Sequence, residues 1–446
     1  MTATWFHSLP KGWASRRIKT ISPVMRGASP RPIDDPVYFD DDGEFAWVRI
    51  SDVTASTGLL KSTTQRLSDL GASKSVKLES GKLFLSIAGS VGKPCITGMK
   101  ACIHDGFVYF PYLPIESQKF LYWIFVCREC FSGLGKHGTQ LNLNTETVGN
   151  IAIPFPDLET QRQIADFLDR ETARIDLLIE KKQRLVALLE EQHSVELASL
   201  ALGLAPNEKF DKDTWDQNLP PNWVATSLKN LIDPNRQITY GIVQPGERDE
   251  SGILMVRGQD YSKGWAEPDT VFRVSPQVER PYARARLRAG DIVMTIVGAG
   301  VGNVAIVPLL YDKANITQTT ARLAINPRTA DAEYVKGVLE SKIGALNVES
   351  FKRGAAQPGL MLKDVARFRV PVPPIPAQQR VASQMQASAN RVLKIQTKTK
   401  ASIDRLKEYR SALITAAVTG QIDVASHSRS GFTEHRLDAL QEEMDA

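Results

Sequence analysis

The stretch Ile153–Gln192 reads IPFPDLETQRQIADFLDRETARIDLLIEKKQRLVALLEEQ: an extended entry broken by prolines, followed by one long helical pattern. Its weight comes from a second copy. Moving 217 positions along the chain lands on VPVPPIPAQQRVASQMQASANRVLKIQTKTKASIDRLKEYR, beginning at Val370. Pro154 falls on Pro371, Pro156 on Pro373, Gln161 on Gln378, Ala165 on Ala382, Arg174 on Arg391 and Gly203 on Gly420. Solenoid repeats have periods of about 20 to 50 residues, so a shift this long means a duplicated domain.

Other segments repeat around it in the same order. LPKGW (Leu9–Trp13) opens the first half and LPPNW (Leu219–Trp223) the second. FAWVRISDV (Phe45–Val53) matches ILMVRGQDY (Ile253–Tyr261), and GKLFLSIAGSVGK (Gly81–Lys93) matches GDIVMTIVGAGVGN (Gly290–Asn303). Each of the latter reads as a buried strand running into a glycine turn. Gly298-Ala-Gly-Val-Gly302 lacks the third glycine of GxGxxG and no GK[ST] follows, so a tight turn is the better reading than a phosphate loop. A helix and a polar loop then follow in each half, at 135–144 and 351–362.

The expected fold class is therefore α+β: two similar globular α/β domains, separated by a pair of long helices. The implied divisions are 1–153 and 206–370 for the globular domains, 154–205 and 371–423 for the helical spacers, and 424–446 for a polar tail. In the first helix the heptad seam takes Ile164, Leu168, Ile175, Leu178, Leu185 and Leu189. In the second it takes Val381, Met385, Val392, Ile395, Leu406, Tyr409 and Leu413. Polar breaks fall at equivalent places, Glu171 with Ser388 and Lys182 with Thr399, the pattern of a modest coiled coil. One helix joins the halves and the other leaves the second, so connectivity predicts an antiparallel pair with a pseudo-twofold axis. At 1.5 Å per residue, about 35 to 45 helical residues span roughly 50 to 65 Å.

Composition narrows the class. With 55 basic and 50 acidic residues the net charge is +5, compatible with nucleic acid without arguing for it. No apolar run approaches the roughly 18 to 20 residues of a membrane span, and the N-terminus shows no signal-peptide pattern, which sets the expectation of a cytoplasmic protein with no membrane partner. Cys127 and Cys130 have metal-ligand spacing, and Cys95 and Cys102 would complete a set of four. They lie in a helical stretch, and the duplicate carries Gly344 and Asn347 instead, so no metal site is expected and buried thiols are.

Two similar but diverged domains on a spacer suit two separated half-sites on an extended ligand. Duplex DNA fits, since half-sites one helical turn apart, roughly 34 Å, present the same groove to one face. Bases are read by Arg, Lys, Asn, Gln and Ser. The polar loops supply Lys136, His137, Gln140, Asn142 and Asn144 in the first half, and Lys352, Arg353 and Gln357 in the second. The glycine turns add Ser90, Lys93 and Asn303.

Together, LPKGW and LPPNW, the IPFPDLETQRQIADFLDRETARIDLLI block with its counterpart VPVPPIPAQQRVA, and AAVTGQI (Ala416–Ile422) resemble the specificity (S) subunits of type I restriction–modification systems. The resemblance implies two target-recognition domains, each reading one half of a bipartite double-stranded DNA site, and helices that also dock two methyltransferase (M) subunits. It further implies adenine-N6 methylation by the assembled complex, and restriction once motor-nuclease (R) subunits join. S-adenosylmethionine, ATP and Mg are expected on those partner chains and no cofactor on this one. The residues agree that this chain is not itself the enzyme. The nearest approach to a [DNS]PP[YFW] methyltransferase tetrapeptide is Asp35-Pro-Val-Tyr38, which lacks the second proline. No Walker A motif is present, and the six histidines have no matched partners in the duplicate. Ala377 stands before Gln378 where the family usually carries an acidic residue, which bears on the second methyltransferase contact.

Overall fold

The proline-rich entry to each long helix is a strand. Ala152–Phe155 pairs antiparallel with Ala14–Arg17, and Arg369–Val372 with Val224–Ser227. Both are two-stranded ribbons, so Pro154 and Pro371 sit where proline's missing N–H does not break a central ladder. The computed structural model describes residues 5, 6, 8–134, 143–205, 208–217, 219–354 and 358–429, without the side chains of 427–429. Two compact units divide the chain, residues 1–183 with 399–446 and residues 184–398. The divisions fall within the two long helices, Leu158–Leu202 and Ile375–Val418, so each unit holds a length of both.

The duplication is visible strand by strand, and the fold is α+β. In the first unit one sheet orders Met25–Arg26, Phe107–Tyr109, Leu83–Ser86, Pro94–Thr97 and Leu59–Leu60. Its counterpart in the second unit orders Thr239–Tyr240, Thr320–Leu323, Ile292–Thr295 and Val304–Ile306. A second sheet in the first unit centres on Phe45–Val48, antiparallel to Gln65–Leu67 and parallel to Ala101–Ile103. The second unit repeats it with Ile253–Val256, Arg273–Val274 and Asn315–Ile316.

Each unit closes its core against its own lengths of long helix. In the first, Phe120, Ile124, Phe125 and Val148 pack with Ile164, Leu168, Ile175, Leu406 and Leu413. In the second, Tyr334, Val335, Val338 and Phe368 pack with Leu197, Ala201 and Met385. The four cysteines are buried free thiols, and burial pushes Cys130 well above the ordinary thiol range and Cys102 up to about 11.

The helix pair departs from the heptad reading in one respect. Leu178 and Tyr409 pack half-buried on the first core and Val381 on the second, while Leu189 and Val392 are half-buried. Leu185 and Ile395, expected in the seam, are exposed at 42% and 44%. A helix of 3.6 residues per turn drifts about 20° per heptad from a 3.5 repeat. Over the heptads that start at Ile164 or Val381, the inward place therefore passes to the next residue. Val186 and Gln396 are half-buried, and Gln396 donates to Glu190 at 3.0 Å. In the second unit Arg391 also reaches Glu196 at 3.1 Å, so the two lengths run antiparallel there. In the first unit Arg410 meets Asp176 at 2.9 Å. The polar breaks are buried: Glu171 holds Arg170 at 2.8 Å, and Ser388 meets His193 Nδ1 at 3.1 Å.

Both long helices end on a glycine with positive φ, Gly203 at 63° and Gly420 at 71°. Gly203 N–H donates to Leu200 and Leu204 N–H to Ser199; Gly420 and Gln421 repeat this on Ala417 and Ala416. This is the Schellman stop, which favours glycine at the left-handed position. A Cβ on Gly203 would lie 3.2 Å from the Trp223 ring, and one on Gly420 would lie 3.1 Å from Trp13. The tryptophans of LPPNW and LPKGW thus pack on the helix stops of their own units.

Candidate nucleic-acid interface

In the second unit the strands Ile253–Val256 and Asn315–Ile316 run parallel, with Val256 opposite Ile316. Both end there, so Arg257 and Thr317 leave the sheet side by side. The Arg257 N–H donates to Asp260 Oδ2 at 2.8 Å and its guanidinium lies 3.3 Å from the same oxygen, closing the turn Gly258–Asp260. The glycine turn after Ile292–Thr295 faces this corner, anchored where Tyr261 and Thr295 share a hydrogen bond of 2.7 Å. Between them lies a cleft of about 610 Å³. Arg257, Gln259, Asn303, Thr317, Gln318 and Thr319 supply its polar lining, and Ile242, Val243, Pro245 and Val297 an apolar wall. Guanidinium, amide and hydroxyl groups beside an apolar wall are the set that matches base edges and a thymine methyl.

Among the residues expected from sequence, Asn303 lines this cleft, and Lys352 and Arg353 do not. The loop that carries them is nevertheless joined to the glycine turn. Val297 bridges Gly359, Gly298 N–H donates to Pro358 at 2.9 Å, and Leu360 N–H donates to Ile296 at 2.8 Å. Arg353 exchanges main-chain bonds with Gly359 and sits 3.6 Å from the buried Asp364. Lys352 pairs with Glu349 at 2.9 Å. Gln357 lies outside the described residues.

The first unit repeats the corner with different chemistry. Val48 lies opposite Ile103 in parallel register, so Arg49 and His104 leave side by side. Arg49 N–H donates to Asp52 Oδ2 at 2.8 Å, as Arg257 does to Asp260. Register places His104 and Asp105 where the second unit has Thr317 and Gln318. His104 Nδ1 accepts from Gly106 N–H at 2.8 Å, and Asp105 takes Ser29 Oγ at 3.2 Å and Arg31 at 3.3 Å. Ser90 Oγ is 2.6 Å from Thr54 Oγ1. Lys93 has another task than the expected one: its ammonium donates to the carbonyls of Thr54 and Ser56 at 2.8 and 2.9 Å, capping the C-terminus of the helix Ile50–Ala55. Asn144 likewise caps Thr145–Asn150, accepting from Thr147 N–H at 2.8 Å. Lys136, His137, Gln140 and Asn142 lie outside the described residues.

Arg257, Gln259 and Gln318, with Arg49, His104 and Asp105, escaped the sequence reading. The repeated Val-Arg-x-x-Asp was legible. The strand running parallel beside it, 55 residues on in the first unit and 60 in the second, was not.

Burial holds His104 below its ordinary value of 6.5, and His193 likewise. A histidine with a depressed folded pKa binds its proton first in the unfolded chain. Its stabilising contribution is therefore present above pH 6.5 and is lost as pH falls toward the folded value. The thermal midpoint is expected to drop between pH 7 and 5.5, and His104→Asn with His193→Asn to flatten that slope. An unchanged slope in the double variant would refute it.

The family model for the type I restriction modification DNA specificity domain matches residues 10–187. The EcoBI specificity subunit of Escherichia coli is 25% identical over 291 residues, 64% of this chain and 61% of that subunit, a little under two thirds of its length. The MjaVIII specificity subunit of Methanocaldococcus jannaschii is 22% identical over 431 residues, 93% of this chain and 94% of the relative. Residues 10–187 thus match the type I restriction modification DNA specificity domain, and the chain is similar to type I specificity subunits over most of its length. A chain solved in work on complex assembly and conformational transition of the type I R-M system superposes with a TM-score of 0.67 at 18% identity, covering 93% of this chain and all of that one, which supports the fold. Among the described residues no helix is long and apolar enough to cross a membrane.

Proposed function

We propose that this specificity subunit binds a bipartite, asymmetric double-stranded DNA site, one half-site per unit, and directs two methyltransferase subunits and the motor-nuclease subunits to it. S-adenosylmethionine, ATP and Mg then belong to those partners. The observation that carries the asymmetry is the pair of matched corners. The same parallel register presents Arg49, His104 and Asp105 in one unit and Arg257, Thr317 and Gln318 in the other. An equal scaffold with unequal hydrogen-bonding groups reads unequal sequences.

The test is selection from random duplexes by the subunit purified with its methyltransferase partner. A two-part motif with a fixed gap is expected, and Gln318→Ala is expected to relax one position of one half only. Removing a paired amide of this kind costs about 1 to 3 kcal/mol of base discrimination. No enriched motif, or Gln318→Ala relaxing both halves, defeats the proposal.

A further inference from the structure

The densest run of positive charge in the second unit lies outside the cleft. Residues 279–290 read ERPYARARLRAG, with arginines at 280, 284, 286 and 288. They occupy the end of a short helix, Pro276–Glu279, the turn Arg280–Ala285 and the strand approach beyond it. Structure divides these arginines into two kinds. Arg286 grips the buried Glu279 through two bonds of 2.7 and 2.6 Å, and Arg236 grips the buried Asp291 through two of 2.6 Å. Beneath the segment lies Arg322, only 3% exposed, donating to the carbonyls of Arg284 at 2.6 Å and Gln237 at 2.8 Å. Burial lowers its pKa to about 10, which leaves it charged at neutral pH.

Glu279 and Asp291 are thereby consumed. Arg280, Arg284 and Arg288 point into solvent, and none has a carboxylate partner among the described residues; Arg284 makes only a 3.5 Å contact to Thr239 Oγ1. A rigid main chain with a buried cation beneath it and three unpaired guanidiniums above is a positive field with no internal use. The segment also adjoins the cleft. Tyr282 packs in one apolar cluster with Ile242 of the cleft wall, and its carbonyl accepts from Asn315, two residues before Thr317.

We propose that Arg280, Arg284 and Arg288 form a phosphate-binding ridge that holds the DNA backbone beside the half-site read in the second unit's cleft. This rests on the DNA reading of that cleft. Guanidinium forks bind phosphate in two-point fashion, and such contacts supply affinity and register without sequence information. The first unit is less charged at the matching place. Its short helix Asp69–Ser73, capped by Ser68 as Pro276–Glu279 is by Ser275, is followed by Lys74 and Lys77, and Lys77 lies 4.8 Å over the Phe45 ring.

The experiment measures binding of the subunit–methyltransferase complex to its selected duplex by fluorescence anisotropy across salt. For the triple variant Arg280→Gln, Arg284→Gln, Arg288→Gln, the slope of log K against log salt is expected to shallow by about 0.9 for each phosphate no longer neutralised. Affinity at low salt is expected to fall on the order of a hundredfold, with the enriched sequence unchanged. Arg280→Gln alone, at an exposed site, should shallow the slope by about 0.9 and guards against a folding defect in the triple. An unchanged slope overturns the ridge while leaving the cleft reading in place. A changed motif also overturns it, because these arginines would then be reading bases. If the unsubstituted complex enriches no sequence, the cleft reading fails, and the ridge with it.

Discussion

Arg236→Ala is expected to destabilise the second unit by about 3 to 5 kcal/mol, the cost of leaving a buried carboxylate without its cation. Asp291 is 4% exposed and receives both guanidinium nitrogens of Arg236 at 2.6 Å. It also accepts the Arg288 N–H at 2.8 Å, so the orphaned charge would sit inside the turn that supports the arginine ridge. Urea denaturation checks this directly. Arg236→Ala combined with Asp291→Ala is expected to cost less than Arg236→Ala alone, because the double variant buries no unpaired charge. A loss below about 1 kcal/mol for the single variant would place the pair among weak surface bridges. The neighbouring Arg280→Gln should leave stability within about 0.5 kcal/mol, as surface substitutions do. Arginines adjacent in sequence thus separate into those that hold the fold and those free to meet a ligand.

The second large effect is expected at Gln378. Its side chain is fully buried, donating to Pro373 O at 2.8 Å and accepting Asp331 N–H at 2.7 Å. It therefore ties the proline-broken entry of the second long helix to the start of the helix Ala332–Glu340. Gln378→Ala leaves a buried donor and a buried acceptor unmet, at about 1 to 3 kcal/mol each. The duplicate Gln161 makes the same bond to Pro156 O at 2.8 Å, but its Oε1 has no partner among the described residues. Gln161→Ala is accordingly expected to cost less, and thermal unfolding of the two variants ranks them. Equal losses would show that the helix entry alone matters and the tie to Asp331 does not.

These two glutamines show how far the sequence reads. Gln161 over Gln378 was one of the identities that revealed the duplication, and the residues around it marked the family. In each half its side chain donates to the carbonyl of the second proline of the Pro-x-Pro entry, five residues earlier. The seam shows the opposite limit. Ile164, Leu168, Ile175 and Leu413 are buried where the heptad pattern puts them, while Leu185 and Ile395 are exposed because a helix of 3.6 residues per turn outruns that pattern.

Among the expected contact residues, Asn303 stands in the cleft, whereas Lys93 and Asn144 are caps. A lysine or asparagine beside a glycine turn looks the same in sequence whether it faces DNA or a carbonyl a few ångströms behind it. The amino-acid sequence by itself determined the duplication, the strand and long-helix types and the family resemblance, because periodicity and turn chemistry are local, whereas the helix stops at Gly203 and Gly420 came from the structure. Only the tertiary structure decided that Arg257 stands beside Thr317 and Arg49 beside His104, and which arginines are already paired. Parallel strands join residues far apart in the chain, and a charge is free or spent according to what the fold brings within hydrogen-bonding reach.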